Sequence, residues 1–224
     1  MTETDPRTTR SRADNARARL LDAMLGEAAF DGWNDAALAR AAATAGLSEG
    51  EVQLYCPDGV LDLLEIWSRT ADEAAAEAIR QNGANRIRDK ITEAVMIRLA
   101  ELNGEEDAAD RARARLLLPD GAARGVQLLW ATSDMIWRAI GDTSTDANFY
   151  SKRAILSGVY ASTFSVWLDD ASEDKAKTRA FLDRRIENVM QFEKVKAQAS
   201  KATASMPDLV GLAARLRHGL GRRV

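Results

Sequence analysis

Residues 141–156 read GDTSTDANFYSKRAIL, and the apolar run after them continues to residue 170. Gly141 follows a periodic apolar segment, and a glycine there predicts the end of a helix because it readily takes the left-handed backbone conformation. Thr145 or Asp146 can then accept hydrogen bonds from the free N–H groups that begin the next helix. The stretch therefore predicts two long helices joined by a short loop.

The second of these helices is predicted from Ala147 to Leu168. Its apolar residues occur on almost every side of the helix, so no consistently polar face remains for water. We therefore expect it to lie at the centre of a helical core. At about 1.5 Å per residue it would be roughly 33 Å long, which is also the length of a membrane span. Lys152 and Arg153 near its start would make exposure to lipid costly, which favours the buried helix.

The composition predicts one globular domain. The chain has 224 residues, of which 46% are hydrophobic and 29% are charged, enough for one sizeable core. The net charge of -3 gives no overall attraction to nucleic acid. The single cysteine, Cys56, cannot form an internal disulfide. We expect it to be a small packed residue, with a reactive thiol as the alternative.

The pattern of polar and apolar residues predicts an all-α chain of about nine helices, because no segment alternates over the length of a strand. Glu3 and Asp5, and the lack of an apolar run beside them, argue against a secretory signal or a transit peptide. The predicted organisation is a disordered N-terminus at 1–15, a helix-turn-helix-like head at 16–60, a helical body at 61–196, a linker at 197–206 and an amphipathic helix at 207–224.

The head is similar in layout to the helix-turn-helix of TetR-type regulators. Asn34 and Ser48 are plausible caps for its second and third helices, and Gly46 ends the second. A DNA reader would carry basic or amide side chains on the third helix, but this one carries Glu49 and Glu51. Residues 10–60 contain five arginines against eight acidic residues, so we expect no binding to nucleic acid.

Catalytic and metal-binding arrangements are largely absent from the sequence. His218 is the only histidine, so zinc sites, haem ligation and nucleophile–histidine pairs cannot be built from these residues. Glycine-rich phosphate loops are missing as well. The carboxylate pairs at 105–106 and 169–170 stand at predicted helix ends, where caps and solvated charge are the ordinary explanation. We therefore expect no catalytic residue, metal or cofactor.

Apolar volume is the remaining candidate for function. Aromatic and aliphatic side chains recur on the helix that ends at Ile140 and on the one that begins near Ala147. They can line a cavity of lipid size or simply fill a core, and both interpretations stay open. The candidate lipid-binding residues are Leu129, Trp130, Trp137, Val159, Tyr160, Phe164 and Trp167.

The C-terminal segment combines an apolar stripe with positive charge. Pro207 begins it after a run of small and polar residues. A basic amphipathic helix on a tether lies on a membrane or binds the groove of a partner, and a packed terminal helix is the alternative. The candidate membrane-binding residues are Leu209, Val210, Leu212, Arg215, Leu216, Arg217 and Leu220.

A long motif carries a family resemblance. Residues 141–156 match GDxSTDxNFYxKRAxL, and VY at 159–160, WLDD at 167–170 and FLDxRIxxVM at 181–190 continue the match. The motif resembles the signature of the coenzyme Q (ubiquinone) biosynthesis protein Coq-nine family. The resemblance implies a TetR-like fold whose head has lost DNA binding, a hydrophobic cavity for an isoprenoid quinone or other lipid, a homodimer and a C-terminal membrane helix. It also implies service to demethoxyubiquinone hydroxylase. The arginines of the C-terminal segment favour an anionic membrane surface.

The chain is accordingly expected to be a non-enzymatic accessory protein on the inner face of the cytoplasmic membrane. Many family members carry Trp-Tyr at the start of the central helix, on the surface implicated in hydroxylase contact, where this chain has Phe149-Tyr150. Phenylalanine keeps the aromatic area but loses the indole N–H. Asn148, Phe149 and Tyr150 are the candidate partner-binding residues, and packing of both rings in the core is the alternative.

Two other functions stay open from the sequence alone. A TetR-type repressor with a hydrophobic effector would share the fold, but the acidic head argues against it. An enzyme acting on the lipid itself would need acid–base residues that the apolar helices lack.

Overall fold

The computed structural model describes residues 12–84 and 86–204, with side chains described as far as residue 192. The described residues are all-α, as predicted. The α-helices are α1 (Arg12–Asp31), α2 (Asp35–Ala45), α3 (Glu49–Tyr55), α4 (Val60–Gln81), α5 (Ile87–Ala100), α6 (Glu106–Leu116), α7 (Ala122–Ala139), α8 (Ala147–Leu168) and α9 (Ala176–Ala204). A short 3₁₀ turn, Glu173–Lys175, precedes α9.

The chain divides into two compact units, Met1–Asp183 and Arg184–Val224. The first holds α1 to α8 and the start of α9, and the described part of the second is the rest of α9. None of the described helices combines the length and the apolar character needed to cross a bilayer.

The core of the head continues into the body. Leu20 and Met24 of α1 are fully buried in one cluster with Leu63 of α4 and Ala108 of α6. Trp33 joins them, because its Nε1 donates to the Ala108 carbonyl oxygen at 3.0 Å. The predicted division at residue 60 therefore does not separate two cores.

The predicted helix caps at the head are confirmed. The Asn34 side chain accepts from the backbone N–H of Ala37 at 3.0 Å, and Gly46 ends α2 with a φ of 66°. Ser48 and Glu51 form a reciprocal capping box at the start of α3. These caps fix the turn between α2 and α3.

The loop between α7 and α8 also follows the sequence prediction. Gly141 has a φ of 89° at the end of α7, where a side chain would strain the backbone. Of the two candidate caps for α8, Asp146 is the one used, and its side chain accepts from the backbone N–H of Asn148 at 2.9 Å.

Three predicted boundaries differ from the structure. The first helix begins at Arg12, inside the predicted disordered segment, and Asp14 in its first turn suits the helix dipole. Proline suits the first turn of a helix, so the sequence predicts that Pro119 opens the helix that ends at Ile140. Instead, Pro119 lies in the turn before α7, which is closed by a 2.9 Å bond from the Gly121 N–H to the Leu118 carbonyl oxygen.

The third difference is the predicted linker at 197–206. Its residues 197–204 belong to α9, because alanine, glutamine and lysine are good helix formers. The predicted amphipathic helix at 207–224, with all of its candidate membrane-binding residues, lies outside the described residues.

Candidate lipid-binding cavity

A cavity of about 420 Å³ lies among α4, α5, α6, α7 and α8. Most of its wall is apolar, with Leu64, Trp67, Leu102, Leu129, Tyr160 and Phe164 among the larger side chains. The volume falls within the range of small-molecule sites. The prediction placed a cavity between α7 and α8 alone, whereas α4, α5 and α6 supply a large part of the wall.

The mouth of the cavity lies beside the turn between α6 and α7. Leu117 and Val126 line the cavity, yet they are 73% and 68% exposed. An apolar molecule could therefore enter or leave past apolar side chains.

The seven candidate lipid-binding residues do not all reach this cavity. Leu129, Tyr160 and Phe164 are part of its wall. They fit the helical repeat, since the wall contains residues 160, 161, 164 and 165 of α8 and residues 122, 125, 126, 128, 129 and 132 of α7. Val159 lies off this face and is buried in the core.

The three candidate tryptophans lie outside the cavity wall. Trp137 is buried, with its Nε1 donating to the Lys152 carbonyl oxygen at 3.1 Å. Trp167 is buried beside the cavity, stacked at 5.8 Å between ring centroids on Phe164. The Trp130 ring packs 6.3 Å from the ring of Tyr150. The core and cavity interpretations therefore each apply to part of the set.

A buried polar cluster at the cavity wall was not predicted from the sequence. Arg98 of α5 is 3% exposed, and its Nε donates to Asp72 Oδ1 of α4 at 2.5 Å. Thr132 of α7 donates to the same carboxylate oxygen at 2.9 Å. Burial raises the pKa of Asp72, while the Arg98 charge and the Thr132 hydroxyl oppose that rise. An arginine inside the apolar stripe of α5 was the one signal in the sequence.

The three candidate partner-binding residues come together at the start of α8. Asn148 is exposed and Tyr150 is 65% exposed. Phe149 is half-buried, and the Arg153 guanidinium lies 3.5 Å from the centre of its ring. The Phe149 and Tyr150 rings meet edge to face at 5.1 Å. Tyr150 is thus a surface residue, whereas Phe149 is partly a core residue.

A network of charges holds this region in place. Arg153 is 1% exposed, and its Nε donates to Asp134 Oδ1 of α7 at 2.6 Å. Lys152 Nζ donates to Asp142 Oδ1 in the loop at 2.7 Å. Burial favours the protonated form of Asp142, but hydrogen bonds from Lys152 and Ser144 outweigh it and lower the pKa of that carboxyl. The loop is therefore fixed to both helices.

The acidic residues of α3 have different roles. Glu49 is exposed to solvent. Glu51 accepts from the Ser48 backbone N–H at 3.0 Å and from its hydroxyl at 2.8 Å, and these bonds lower the pKa of Glu51. Glu51 is thus a capping residue as well as a negative charge on the helix that resembles a recognition helix.

One of the predicted helix-end carboxylates is buried instead of solvated. Asp170 is 4% exposed and accepts from the backbone N–H groups of Ser172 and Thr178 at 2.9 and 2.8 Å. It therefore fixes the turn into α9, while Asp169 is exposed. Among residues 12–84 and 86–204, no three His, Cys, Asp or Glu side chains are grouped so that they could hold a metal ion.

Comparison with known proteins identifies relatives of this chain. The family model of COQ9 matches residues 122–193, which hold α7, α8 and the start of α9. The chain is 31% identical over 216 residues to the "Ubiquinone biosynthesis protein COQ9, mitochondrial" of Rattus norvegicus, covering 92% of this chain and 69% of that protein. This chain belongs to the COQ9 family. The protein of the same name from Bos taurus is 30% identical over 216 residues and covers 92% of this chain and 68% of its own length.

The fold of this COQ9-family chain is TetR-like. A TetR transcriptional regulator from Nitrosomonas europaea matches it with a TM-score of 0.61 at 22% sequence identity. The match covers 76% of this chain and 95% of the regulator. At that identity the likeness shows a shared fold alone.

Proposed function

We propose that this chain is a non-enzymatic, lipid-binding accessory protein of ubiquinone biosynthesis. It would bind an isoprenoid quinone intermediate and present it to demethoxyubiquinone hydroxylase at the membrane. The observation that carries the proposal is an apolar cavity with an apolar mouth, in a chain whose relatives are named ubiquinone biosynthesis proteins.

The cavity suits a prenyl chain better than a polar metabolite. Each Å² of apolar surface that leaves water contributes about 25 cal/mol, and the wall offers aliphatic and aromatic surface to a branched hydrocarbon. The exposed Leu117 and Val126 extend that surface to the mouth. A tail too long for the cavity could therefore leave it without crossing a polar rim.

Mass spectrometry of an organic extract of the purified protein tests the proposal. A polyprenyl quinone or one of its precursors should co-purify with the wild-type chain. Phe164→Asp places a charge in the cavity wall and should remove the lipid, because an unpaired carboxylate is costly in apolar surroundings. Phe192→Asp is the matched control, since Phe192 is 66% exposed.

The same measurement can contradict the proposal. Circular dichroism and thermal unfolding would first establish that the variants fold. A folded Phe164→Asp protein with unchanged lipid content would move the site away from this cavity. A wild-type extract without any prenylated ring compound would argue against a quinone carrier.

We propose the patch of Asn148, Tyr150 and the half-buried Phe149 as the surface that contacts the hydroxylase. Support comes from the exposure of Tyr150 and from the charges of Lys152 and Arg153 that fix the patch. Aromatic side chains commonly anchor protein interfaces.

The C-terminal segment is proposed as a membrane anchor on sequence grounds. Each leucine of its stripe gains on the order of 1 kcal/mol or more when its surface leaves water, and each arginine adds about 1 kcal/mol against anionic lipid. A chain ending after Ala204 keeps α9 and should lose binding to anionic liposomes in a flotation assay. Equal flotation of both chains would remove the segment from the mechanism.

A TetR-type regulator with a hydrophobic effector is the second candidate, because α2 and α3 keep the helix-turn-helix order. Glu49 and Glu51 oppose it, since carboxylates repel the phosphate backbone. A gel-shift assay with promoter DNA from the protein's own locus tests it. Sequence-selective, submicromolar binding at physiological salt would favour the regulator. Analytical ultracentrifugation tests the proposed homodimer separately.

A further inference from the structure

A buried charged side chain interrupts the largely apolar wall of the cavity. Arg98 lies in that wall and is 3% exposed. Within the described part of the chain, its Nη1 is the only buried side-chain nitrogen or oxygen that lacks a hydrogen-bond partner. Buried polar groups are nearly always paired, so an orphaned guanidinium N–H beside a cavity points to an acceptor from outside the protein.

The other two nitrogens of the Arg98 guanidinium are already hydrogen-bonded. Its Nε donates to Asp72, and its Nη2 donates to the Ser68 carbonyl oxygen at 3.2 Å. The Asp72 carboxylate also accepts from Thr132 through both oxygens, at 2.9 and 3.2 Å. These contacts hold the guanidinium in one orientation. They supply hydrogen-bond acceptors to Nε and Nη2 but none to Nη1.

The charge of Arg98 is balanced by Asp72, a buried carboxylate behind the cavity wall. An anionic head group beside Arg98 would therefore bring a second negative charge to a buried ion pair, since Arg113, the other arginine of the wall, is partly exposed and paired with Asp110. A neutral oxygen acceptor can take the free N–H without that cost. The stacked rings of Tyr160 and Phe164, 6.3 Å apart between centroids, offer a flat apolar surface in the same cavity.

We propose that Arg98 is the head-group anchor of this cavity and that it selects lipids with a neutral, planar, oxygen-bearing head. Nη1 of Arg98 donates to a carbonyl or ether oxygen of the head, and the tail leaves past Leu117 and Val126. The inference rests on the proposed lipid binding and assigns the direction in which the lipid lies. It excludes fatty-acid anions and plain hydrocarbons as preferred ligands.

Three probes with chains of ten carbons, counting the carboxyl carbon of decanoate, test the anchor by isothermal titration calorimetry: a decyl-substituted dimethoxybenzoquinone, decylbenzene and decanoate. The wild-type chain should bind the quinone about tenfold or more tightly than decylbenzene, the ratio expected for one hydrogen bond from a charged donor. Decanoate should bind more weakly than the quinone.

Arg98→Lys keeps a positive charge beside Asp72 but has no Nη1. It should lower the affinity for the quinone about tenfold and leave that for decylbenzene unchanged. Arg113→Lys is the matched control, because Arg113 also lines the cavity but is paired with Asp110 outside it. If Arg98→Lys does not fold, the double variant Arg98→Met with Asp72→Leu replaces the ion pair by apolar groups and should show the same loss.

The outcomes distinguish a failure of the Arg98 anchor from a failure of the proposed lipid binding. Equal quinone affinity in the wild-type and Arg98 variants would overturn the anchor while leaving lipid binding intact. Tighter binding of decanoate than of the quinone would overturn the neutral head. No binding of any probe to the wild-type chain would instead overturn the proposed function on which the inference rests.

Discussion

Replacing Tyr150 by alanine should weaken binding of the hydroxylase without unfolding the protein. Tyr150 is 65% exposed, and its contacts are with the rings of Trp130 and Phe149 at 6.3 and 5.1 Å. An aromatic pair contributes about 0.5–1.5 kcal/mol; with both pairs at the low end, as suits a mostly exposed side chain, the loss of stability should be about 1 kcal/mol. An aromatic anchor in an interface contributes about 2 kcal/mol, which corresponds to a roughly 30-fold increase in Kd.

Phe149→Ala is the informative comparison because its ring is half-buried. The Arg153 guanidinium lies 3.5 Å from the ring centre, and a desolvated contact of this kind is worth about 2 kcal/mol. This variant should therefore unfold about 4–8 °C lower, whereas Tyr150→Ala should shift by about 2–4 °C. Tyr150→Phe keeps the ring and should bind nearly as well as the wild-type chain.

The assay is biolayer interferometry with immobilised demethoxyubiquinone hydroxylase, beside thermal unfolding of each variant. A Kd for Tyr150→Ala within twofold of the wild-type value, in a protein with normal thermal stability, would refute the assignment of the patch. Loss of binding only in proportion to unfolded protein would place both rings in the core instead.

Three further predictions concern stability and reactivity. Burial opposes the ionised form of Asp170, but its hydrogen bonds lower the pKa of that carboxyl well below the ordinary value. The contribution of Asp170 to stability should therefore be present above about pH 4 and be lost as the pH falls through the folded-state pKa. In thermal scans at several pH values, Asp170→Asn should flatten the dependence of the unfolding temperature on pH in this acidic range. Burial raises the pKa of Cys56 to about 11, so iodoacetamide at pH 8 should label it, by mass spectrometry, only after unfolding in urea. Gly26→Ala should raise the free energy of unfolding by about 0.5–1 kcal/mol in urea, because an added Cβ meets nothing within 4 Å. Gly121→Ala should lower the free energy of unfolding, because its Cβ would lie 2.7 Å from the Arg115 carbonyl oxygen.

The sequence predicted the features that depend on near neighbours. Asn34 and Ser48 cap helices through N–H groups three residues further along the chain, and Gly46 and Gly141 end helices through their own backbone conformation. Such interactions are written in short patterns, so the order of the helices follows from them. Asn148, Phe149 and Tyr150 lie together for the same reason, since they are consecutive, whereas their contact with a partner stays a prediction.

The cavity could be predicted only in part. A helical repeat identifies the apolar face of α7 or α8, but it does not say whether that face meets another side chain or an empty volume. The polar cluster was out of reach because Arg98 is 26 residues from Asp72, which in turn is 60 residues from Thr132. From the sequence, Arg153 is only a charge that disfavours exposure of α8 to lipid. In the structure it is buried and forms an ion pair with Asp134.

The packing of α7 against α8 joins the proposed lipid site to the proposed partner surface. Leu129 lies in the cavity wall, and the next residue, Trp130, packs against Tyr150. The Leu129 carbonyl oxygen accepts from Ser157 Oγ of α8 at 3.3 Å, so backbone and side chains are held together at this point. Because packed helices move little without losing contacts, a lipid that displaces Leu129 must also disturb Trp130 and the ring of Tyr150. A hydroxylase docked on Tyr150 would thus contact a helix pair that also lines the cavity, and a lipid in the cavity should change the affinity for the hydroxylase.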